Sequence, residues 1–238
     1  MTLELKDLFG KEEALCDELL EGLVTEEDAE ENGMLQGIYT KFFHQPLTPP
    51  AMYAFANKMY ASKVEMSRKA WDKEDWSKFI ILHEKPYRAE ALYECSKNID
   101  SDRKYWELAI SVFEESENVY QNMAIWTKIF GNKKRRDALL KLPEVHRKDE
   151  IPCSPDKNGY IKVYRGYHSN RGQRGISWTL SLDKAEWFAN RFQQDNPIVV
   201  EALVHIDNIV FYTNNRNEQE VVIEDPANVL QGLLEHCA

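Results

Sequence analysis

Apolar residues in the first 150 positions of the chain recur every three or four residues, which is the spacing of amphipathic helices. The longest apolar stripe is rich in aromatic residues, so we expect it to be a buried element that packs on a sheet. It follows the N-cap candidates Asp100, Ser101 and Asp102 and ends at Gly131-Asn132. The spacing predicts helices over four ranges: Ala51 to Lys69, Trp76 to His83, Arg88 to Lys97 and Asp102 to Phe130.

The pattern changes after Pro152, where short runs rich in β-branched and aromatic residues alternate with turn residues. One helix, Lys184 to Phe192, is predicted among the strands, and the tail from Ala227 is predicted to form a short helix. Helices and strands are segregated along the chain, which favours an α+β fold: a helical N-terminal part packed on a C-terminal mixed β-sheet. The predicted strands are Tyr160 to Tyr164, Ile176 to Leu180, Ile198 to Ile206, Val210 to Thr213 and Glu218 to Ile223.

Composition narrows the functional classes. The 238 residues carry a formal net charge of −10, which argues against binding along a nucleic-acid backbone. The basic run Lys133 to Arg136 fits a solvated face better than a binding patch. No apolar stretch reaches the ~18 residues of a membrane helix, and the acidic N-terminus lacks a signal pattern. We therefore expect a cytoplasmic protein with no membrane partner.

Cysteine and histidine spacing gives no sign of a metal centre. Cys16, Cys95, Cys153 and Cys237 are scattered without paired spacing, and the histidines show no ligand spacing. We expect free thiols and no bound metal. A phosphate-binding glycine loop and a hydrolase nucleophile elbow are also missing from the sequence.

Three short strings in the C-terminal third lie at predicted strands or strand edges. They are Tyr164-Arg165-Gly166, Gly175-Ile176-Ser177-Trp178-Thr179 and Asn217-Glu218-Gln219-Glu220-Val221-Val222-Ile223. In this order they resemble the three motifs of mono-ADP-ribosyltransferases of the Arg-Ser-Glu type, with a looser likeness to such proteins of bacteriophages. The resemblance spans roughly residues 160 to 223. It implies an ADP-ribosyltransferase-like catalytic domain over 101–238, and the apolar spacing indicates a helical region over 1–100.

The resemblance implies that NAD is the co-substrate. Arg165 would contact the NAD diphosphate, because a guanidinium binds phosphate oxygens in a fixed geometry. Gly166 would let the backbone approach the nicotinamide amide. Ser177 would hydrogen-bond the nicotinamide ribose and hold the glutamate, with Thr179 supporting it from the same strand face. Phe188, on the following helix, is a candidate for stacking on nicotinamide, with a core position as the alternative.

The resemblance makes Glu220 and Glu218 the catalytic pair. Glu220 would stabilise the positive charge that develops on the ribose when the bond to nicotinamide breaks. Residues two apart on a strand share a face, so Glu218 is expected beside Glu220, where it would position or deprotonate an acceptor. The loop from Tyr212 to Asn217 would recognise a macromolecular acceptor, most simply a protein, through Tyr212 and Arg216.

Two features depart from the family pattern. Eleven residues separate Arg165 from Ser177, which requires an abbreviated connection, and Trp178 is a bulky residue in the middle of the second motif. Each string also has a structural interpretation, since Ser177 and Thr179 are ordinary strand residues and Glu218 and Glu220 suit the solvated face of an edge strand. Two other functions stay open: a non-catalytic helical interaction protein with a degenerate transferase-like domain, and an NAD glycohydrolase.

Overall fold

A computed structural model describes residues 13–32, 35–116, 119–168, 175–191 and 196–237. The chain divides into two compact units, Met1–Ile99 and Asp100–Ala238. Helices and strands are both present, which confirms the α+β class. No helix among the described residues is long and apolar enough to cross a membrane.

The first unit is mainly helical and also contains a small sheet. Strands β1 (Leu23–Val24), β2 (Gly37–Tyr39) and β3 (His44–Pro46) pair antiparallel in that order. The sequence did not predict this sheet, because strands of two or three residues are too short to show an alternating pattern. The helices are α1 (Asp17–Leu20), α2 (Glu26–Asn32), α3 (Tyr53–Asp72), α4 (Trp76–Leu82) and α5 (Arg88–Cys95).

In the second unit, the helix that was predicted from Asp102 to Phe130 is divided. Helix α6 begins after Ser101, whose hydroxyl accepts from the Lys104 amide at 3.2 Å, and ends at Glu115. Ser116 then adopts an extended conformation, and its hydroxyl donates to the Val112 carbonyl at 2.8 Å. A polar interruption therefore ends the stripe that apolar spacing had joined. The helices are α6 (Asp102–Glu115), α7 (Met123–Phe130), α8 (Lys133–Leu139), α9 (Pro143–His146) and α10 (Leu182–Asn190).

A six-stranded sheet forms the other layer of the second unit, in the order β7-β8-β5-β4-β6-β9. All five predicted strands are present. Every recorded pair is antiparallel, so the prediction of a mixed sheet was wrong. The tail forms a strand paired with β6 rather than a helix, because long-range pairing overrides its leucine-rich local pattern. The strands are β4 (Tyr160–His168), β5 (Ser177–Thr179), β6 (Pro197–His205), β7 (Ile209–Thr213), β8 (Glu220–Ile223) and β9 (Val229–Cys237).

Aromatic side chains join α6 and α7 to the sheet, as expected from the sequence. The Phe113 ring of α6 lies 5.6 Å from the Phe211 ring of β7, and the Phe130 ring of α7 lies 6.2 Å from it. Trp126 contacts both Phe113 and Phe130, and all four rings are buried. Edge-to-face contacts of this kind add to the burial of large apolar surfaces. The helices after Asp100 thus complete the core beneath the sheet.

Helix α8 is tied to the start of β7 through Arg136. Its buried guanidinium donates to the carbonyls of Ile209 at 3.2 Å and Asp207 at 3.0 Å. Burial lowers the pKa of Arg136, and the carboxylate of Glu224 opposes that effect. Leu139 lies on the same buried face of α8, whereas Leu140 follows it in the exposed turn.

These two adjacent leucines allow a matched test of the helix–sheet core. Leu139 is 0% exposed and Leu140 is 56% exposed. We expect Leu139→Ala to lower the free energy of unfolding by about 2–5 kcal/mol, because it leaves a cavity. Leu140→Ala should change it by less than about 0.5 kcal/mol. Chemical denaturation followed by circular dichroism measures both values, and equal effects of the two substitutions would contradict this packing.

Candidate functional site

Three neighbouring strands carry the residues that the motifs single out. Arg165 lies on β4, Ser177 begins β5, and Glu220 begins β8. The register sets Tyr164 opposite Thr179 and Thr179 opposite Glu220. Since directly opposed residues in an antiparallel pair share a face, the second and third motifs meet on one side of the sheet.

Two hydrogen bonds link the three residues, one through the main chain of Ser177 and one through its side chain. The Arg165 Nη1 donates to the main-chain carbonyl of Ser177. The Ser177 hydroxyl in turn donates to Glu220 Oε1 at 2.5 Å. The structure therefore brings Arg165 and Ser177 together with Glu220, which lies 43 positions after Ser177.

The position of Arg165 depends on Gly175, a residue to which the sequence analysis assigned no separate role. A Cβ atom at Gly175 would lie 2.1 Å from the Arg165 Cζ, so any other residue would displace the guanidinium. Burial lowers the pKa of Arg165 to about 10, while the carboxylate of Glu220 acts in the opposite direction. Arg165 stays charged at neutral pH and retains the capacity to bind an anion.

Glu220 is a buried carboxylate with 7% of its surface exposed. Burial raises its pKa, because desolvation disfavours the charged form. The hydrogen bond from Ser177 lowers the pKa, the charge of Glu218 raises it, and Arg216 lowers it. A carboxylate with a raised pKa in a cleft is a frequent property of catalytic groups.

Glu218 lies next to Glu220 for a reason that differs from the predicted one. It precedes β8 instead of belonging to it, and the chain around it is not extended, with φ of 55° at Asn217 and 47° at Gln219. Both carboxylates nevertheless line the same cleft. The Thr179 hydroxyl holds this segment by donating to the Glu218 carbonyl at 2.6 Å. Thr179 therefore supports the site through the backbone of the Glu-x-Glu motif.

The cleft beside the carboxylates encloses about 60 Å³. This volume is far below the ~300–1,000 Å³ of ordinary ligand pockets, so the cleft holds only the end of a larger molecule. The sequence analysis missed Glu114, which reaches the cleft from the last turn of α6. Glu114 lies outside the three motifs, 106 positions before Glu220. The residues around it have the apolar spacing of a buried helix, which indicates packing and not a site. The lining residues are Glu114, Thr213, Asn215, Arg216, Glu218 and Glu220.

The two predicted acceptor-recognition residues, Tyr212 and Arg216, differ in how accessible they are to an acceptor. Tyr212 lies within β7, pairs with Val221 and is only 4% exposed, so its assignment to a recognition loop was wrong. The strand extends through Tyr212 to Thr213, and all five residues of β7 are buried, so β7 is covered on both faces. The side chain of Arg216 is 54% exposed and forms an ion pair with Glu218 at 3.3 Å, so it is placed to meet an incoming group.

Two predicted NAD contacts lie at helix α10. A Cβ atom at Gly166 would lie 1.7 Å from the Ala185 carbonyl oxygen, so glycine here allows α10 to pack against β4. This packing explains the glycine without the nicotinamide contact, which remains a prediction. Phe188 is half-buried on α10, and its ring contacts Trp187 at 5.0 Å between centroids. Stacking of Phe188 on nicotinamide also remains a prediction.

Comparison of the chain with protein-family models, curated proteins and solved structures finds no match. Within the described residues, no cluster of three or more histidine, cysteine, aspartate or glutamate side chains could hold a metal ion. The described cysteines Cys16, Cys95 and Cys153 are free.

The hydrogen bond from Ser177 gives a direct prediction for Glu220. In Ser177→Ala the carboxylate loses the donor that favours its ionised form, so its pKa rises and ionisation moves to higher pH. We expect Thr179→Ala to leave the pKa of Glu220 much closer to that of the wild type, because that hydroxyl bonds the Glu218 carbonyl. NMR titration of the Glu220 carboxyl carbon measures the Glu220 pKa in both variants. Its resonance is assigned by its loss in Glu220→Gln. A Glu220 pKa that does not change in Ser177→Ala would contradict the geometry.

Proposed function

We propose that the protein is an NAD-dependent mono-ADP-ribosyltransferase that modifies a macromolecular acceptor, most simply a protein, and releases nicotinamide. The observation that carries this proposal is the hydrogen-bonded chain from Arg165 through Ser177 to Glu220. These three residues are the ones that the sequence resemblance selects. Their convergence on adjacent strands is what the resemblance requires.

The donor set suits the nicotinamide-ribose end of NAD. Arg165 Nη1 donates to the Ser177 carbonyl, which places the guanidinium beside Ser177, and a guanidinium is the group that binds phosphate oxygens in a fixed geometry. Ser177 bonds one carboxylate oxygen of Glu220, and the other oxygen can accept from a ribose hydroxyl. Because the cleft encloses only about 60 Å³, most of the dinucleotide would lie outside it.

The electrostatics of Glu220 suit the breaking of a bond to a cationic leaving group. Burial disfavours a negative Glu220 when no cation is near, which is why its pKa is raised. Positive charge that develops on the ribose would favour the ionised form strongly, since the site is shielded from water. The carboxylate would thus stabilise the transition state more than the bound substrate.

Glu218 is placed to act on the acceptor. Its side chain is 19% exposed and forms an ion pair with the more exposed Arg216. As the acceptor attacks the ribose carbon, Glu218 would take its proton and nicotinamide would leave with the bonding electron pair. With water as the acceptor, nicotinamide leaves in the same way, the proton of the attacking water passes to solvent, and the products are those of an NAD glycohydrolase.

One observation favours a second candidate, a non-catalytic interaction protein. The Arg165 guanidinium already bonds the backbone, and the neighbouring cleft is small, as a purely structural arrangement would be. Measuring nicotinamide release from NAD distinguishes a catalytic site from a purely structural arrangement of the same residues.

We expect Glu220→Gln to lower nicotinamide release from NAD by about 10²–10³-fold, as for loss of one preorganised electrostatic group. The fold should persist, because glutamine keeps the shape and the acceptor for Ser177. Glu186→Gln on the exposed face of α10 is the matched control and should retain full activity. Nicotinamide is measured by chromatography with purified protein, NAD and a cell lysate. Absence of nicotinamide release from the wild-type protein would support the non-catalytic alternative.

Glu218→Gln should separate transfer from bond cleavage. Loss of the proton acceptor should lower label transfer from NAD to protein by about 10²-fold, the lower range for general-base catalysis. Hydrolysis of NAD should fall less, because water reaches the site without the acceptor contacts. Transfer is measured with labelled NAD on a gel, and hydrolysis as free ADP-ribose. Equal losses of transfer and hydrolysis would contradict the role given to Glu218.

A further inference from the structure

Glu114 connects helix α6 to the turn that carries the Glu-x-Glu motif. Its Oε1 accepts from the Thr213 hydroxyl at 2.7 Å and from the Asn215 side-chain amide at 2.8 Å. Thr213 is the last residue of β7, and Asn215 follows it in the turn toward β8. One carboxylate oxygen thus fixes both the end of a strand and the start of the turn.

The turn needs such support because its backbone is unfavourable. Asn217 and Gln219 have positive φ angles of 55° and 47°, and side chains other than glycine seldom adopt this region. Conformations of this kind persist only where surrounding contacts hold them. Within the turn, the Asn214 side chain accepts from the Gln219 amide at 3.1 Å, and the Thr213 hydroxyl accepts from the Asn215 amide at 3.2 Å.

We propose that Glu114 is a positioning residue that holds the turn in the conformation that presents Glu218 to the cleft. This role rests on the proposed function for its catalytic meaning, while the contacts themselves are independent of it. Helix α6 is fixed to the sheet through Phe113, the residue before Glu114. The aromatic core therefore sets where the turn, and with it Glu218, can lie.

Glu114 also acts on Glu220 through its charge. The charged groups that bear on Glu220 are Glu114 from α6, Arg216 and Glu218 from the turn, and Arg165 from β4. The negative charge of Glu114 raises the pKa of Glu220, after the larger effects of burial and Glu218. Removing that charge should therefore lower the pKa.

Two variants of Glu114 separate the hydrogen bonds from the charge. Glu114→Ala removes both, whereas Glu114→Gln removes the charge and keeps an oxygen that can accept from Thr213 and Asn215. Glu107 lies on the exposed face of the same helix, in an ion pair with Arg103 at 3.6 Å, so Glu107→Ala and Glu107→Gln are matched controls. All variants are made in the full chain.

Amide hydrogen exchange and carboxyl titration test the positioning role without requiring turnover. In Glu114→Ala, exchange of the Asn215 and Gln219 amides should rise about tenfold, as for loss of a hydrogen bond to a charged group. In Glu114→Gln, the exchange rates of these two amides should stay within about threefold of those of the wild type, because the hydrogen bonds are kept. Titration of Glu220 should move to lower pH in Glu114→Gln, and the Glu107 variants should change neither quantity.

Turnover gives the catalytic readout. Glu114→Ala should lower label transfer by about 10²-fold, the effect of a small misplacement of a catalytic group. Glu114→Gln should retain most transfer, with the acid limb of its pH–rate profile moved to lower pH. Unchanged amide exchange in Glu114→Ala, or equal effects of the Glu114 and Glu107 variants, would overturn the positioning role. Exchange and titration as expected without turnover in the wild type would uphold it and refute the proposed transferase.

Discussion

The antiparallel register between β5 and β8 is the constraint on which the site depends. With Thr179 opposite Glu220, the Ser177 hydroxyl reaches the Glu220 carboxylate at 2.5 Å. A shift of one residue would turn Glu220 to the opposite face of the sheet and separate it from Ser177. Val221, Val222 and Ile223 follow Glu220 on β8 and are fully buried, so a change of register would also require these core side chains to repack.

Burial at this register gives the polar groups their properties. Glu220 and Arg165 both lose hydration, so the pKa of the carboxylate rises and that of the guanidinium falls. Desolvated groups cost stability unless they are bonded, and the Ser177 hydroxyl and carbonyl supply these bonds. Around them, α6 contributes Glu114 and α10 packs closely on Gly166. The aromatic packing and the charged cleft thus share strand β7, which carries both Phe211 and Thr213.

The sequence allowed the prediction of those parts of the fold that have a local pattern. Short runs of β-branched and aromatic residues mark the strands around Arg165, Ser177 and Glu220, so these elements and their likeness to transferase motifs were visible in the sequence. Strand β9 was missed because its identity depends on pairing with Val204 to Ile198, far away in the chain. Tyr212 falls in both the predicted strand Val210 to Thr213 and the predicted recognition loop, and chain position alone does not reveal that β7 is covered on both faces.

Residues that act through tertiary contact were the least predictable part of the site. Glu114 is linked to the turn by bonds that span 99 and 101 positions, and its local pattern is that of an ordinary helix end. Gly175 belongs to the second motif string. The reason that glycine is required there, which is the Arg165 guanidinium lying against it, is visible only in the structure. Glu218 shows a further limit, because its place beside Glu220 comes from left-handed backbone and not from strand alternation.

The central claim is that Arg165, Ser177 and Glu220 form one site for the nicotinamide-ribose end of NAD. A crystal structure of the full chain with a non-cleavable NAD analogue tests it most directly. The account predicts that the Arg165 guanidinium contacts the diphosphate while Ser177 and Glu220 contact the nicotinamide ribose. The claim would be contradicted if the analogue did not bind at millimolar concentration, or if it bound away from these three side chains.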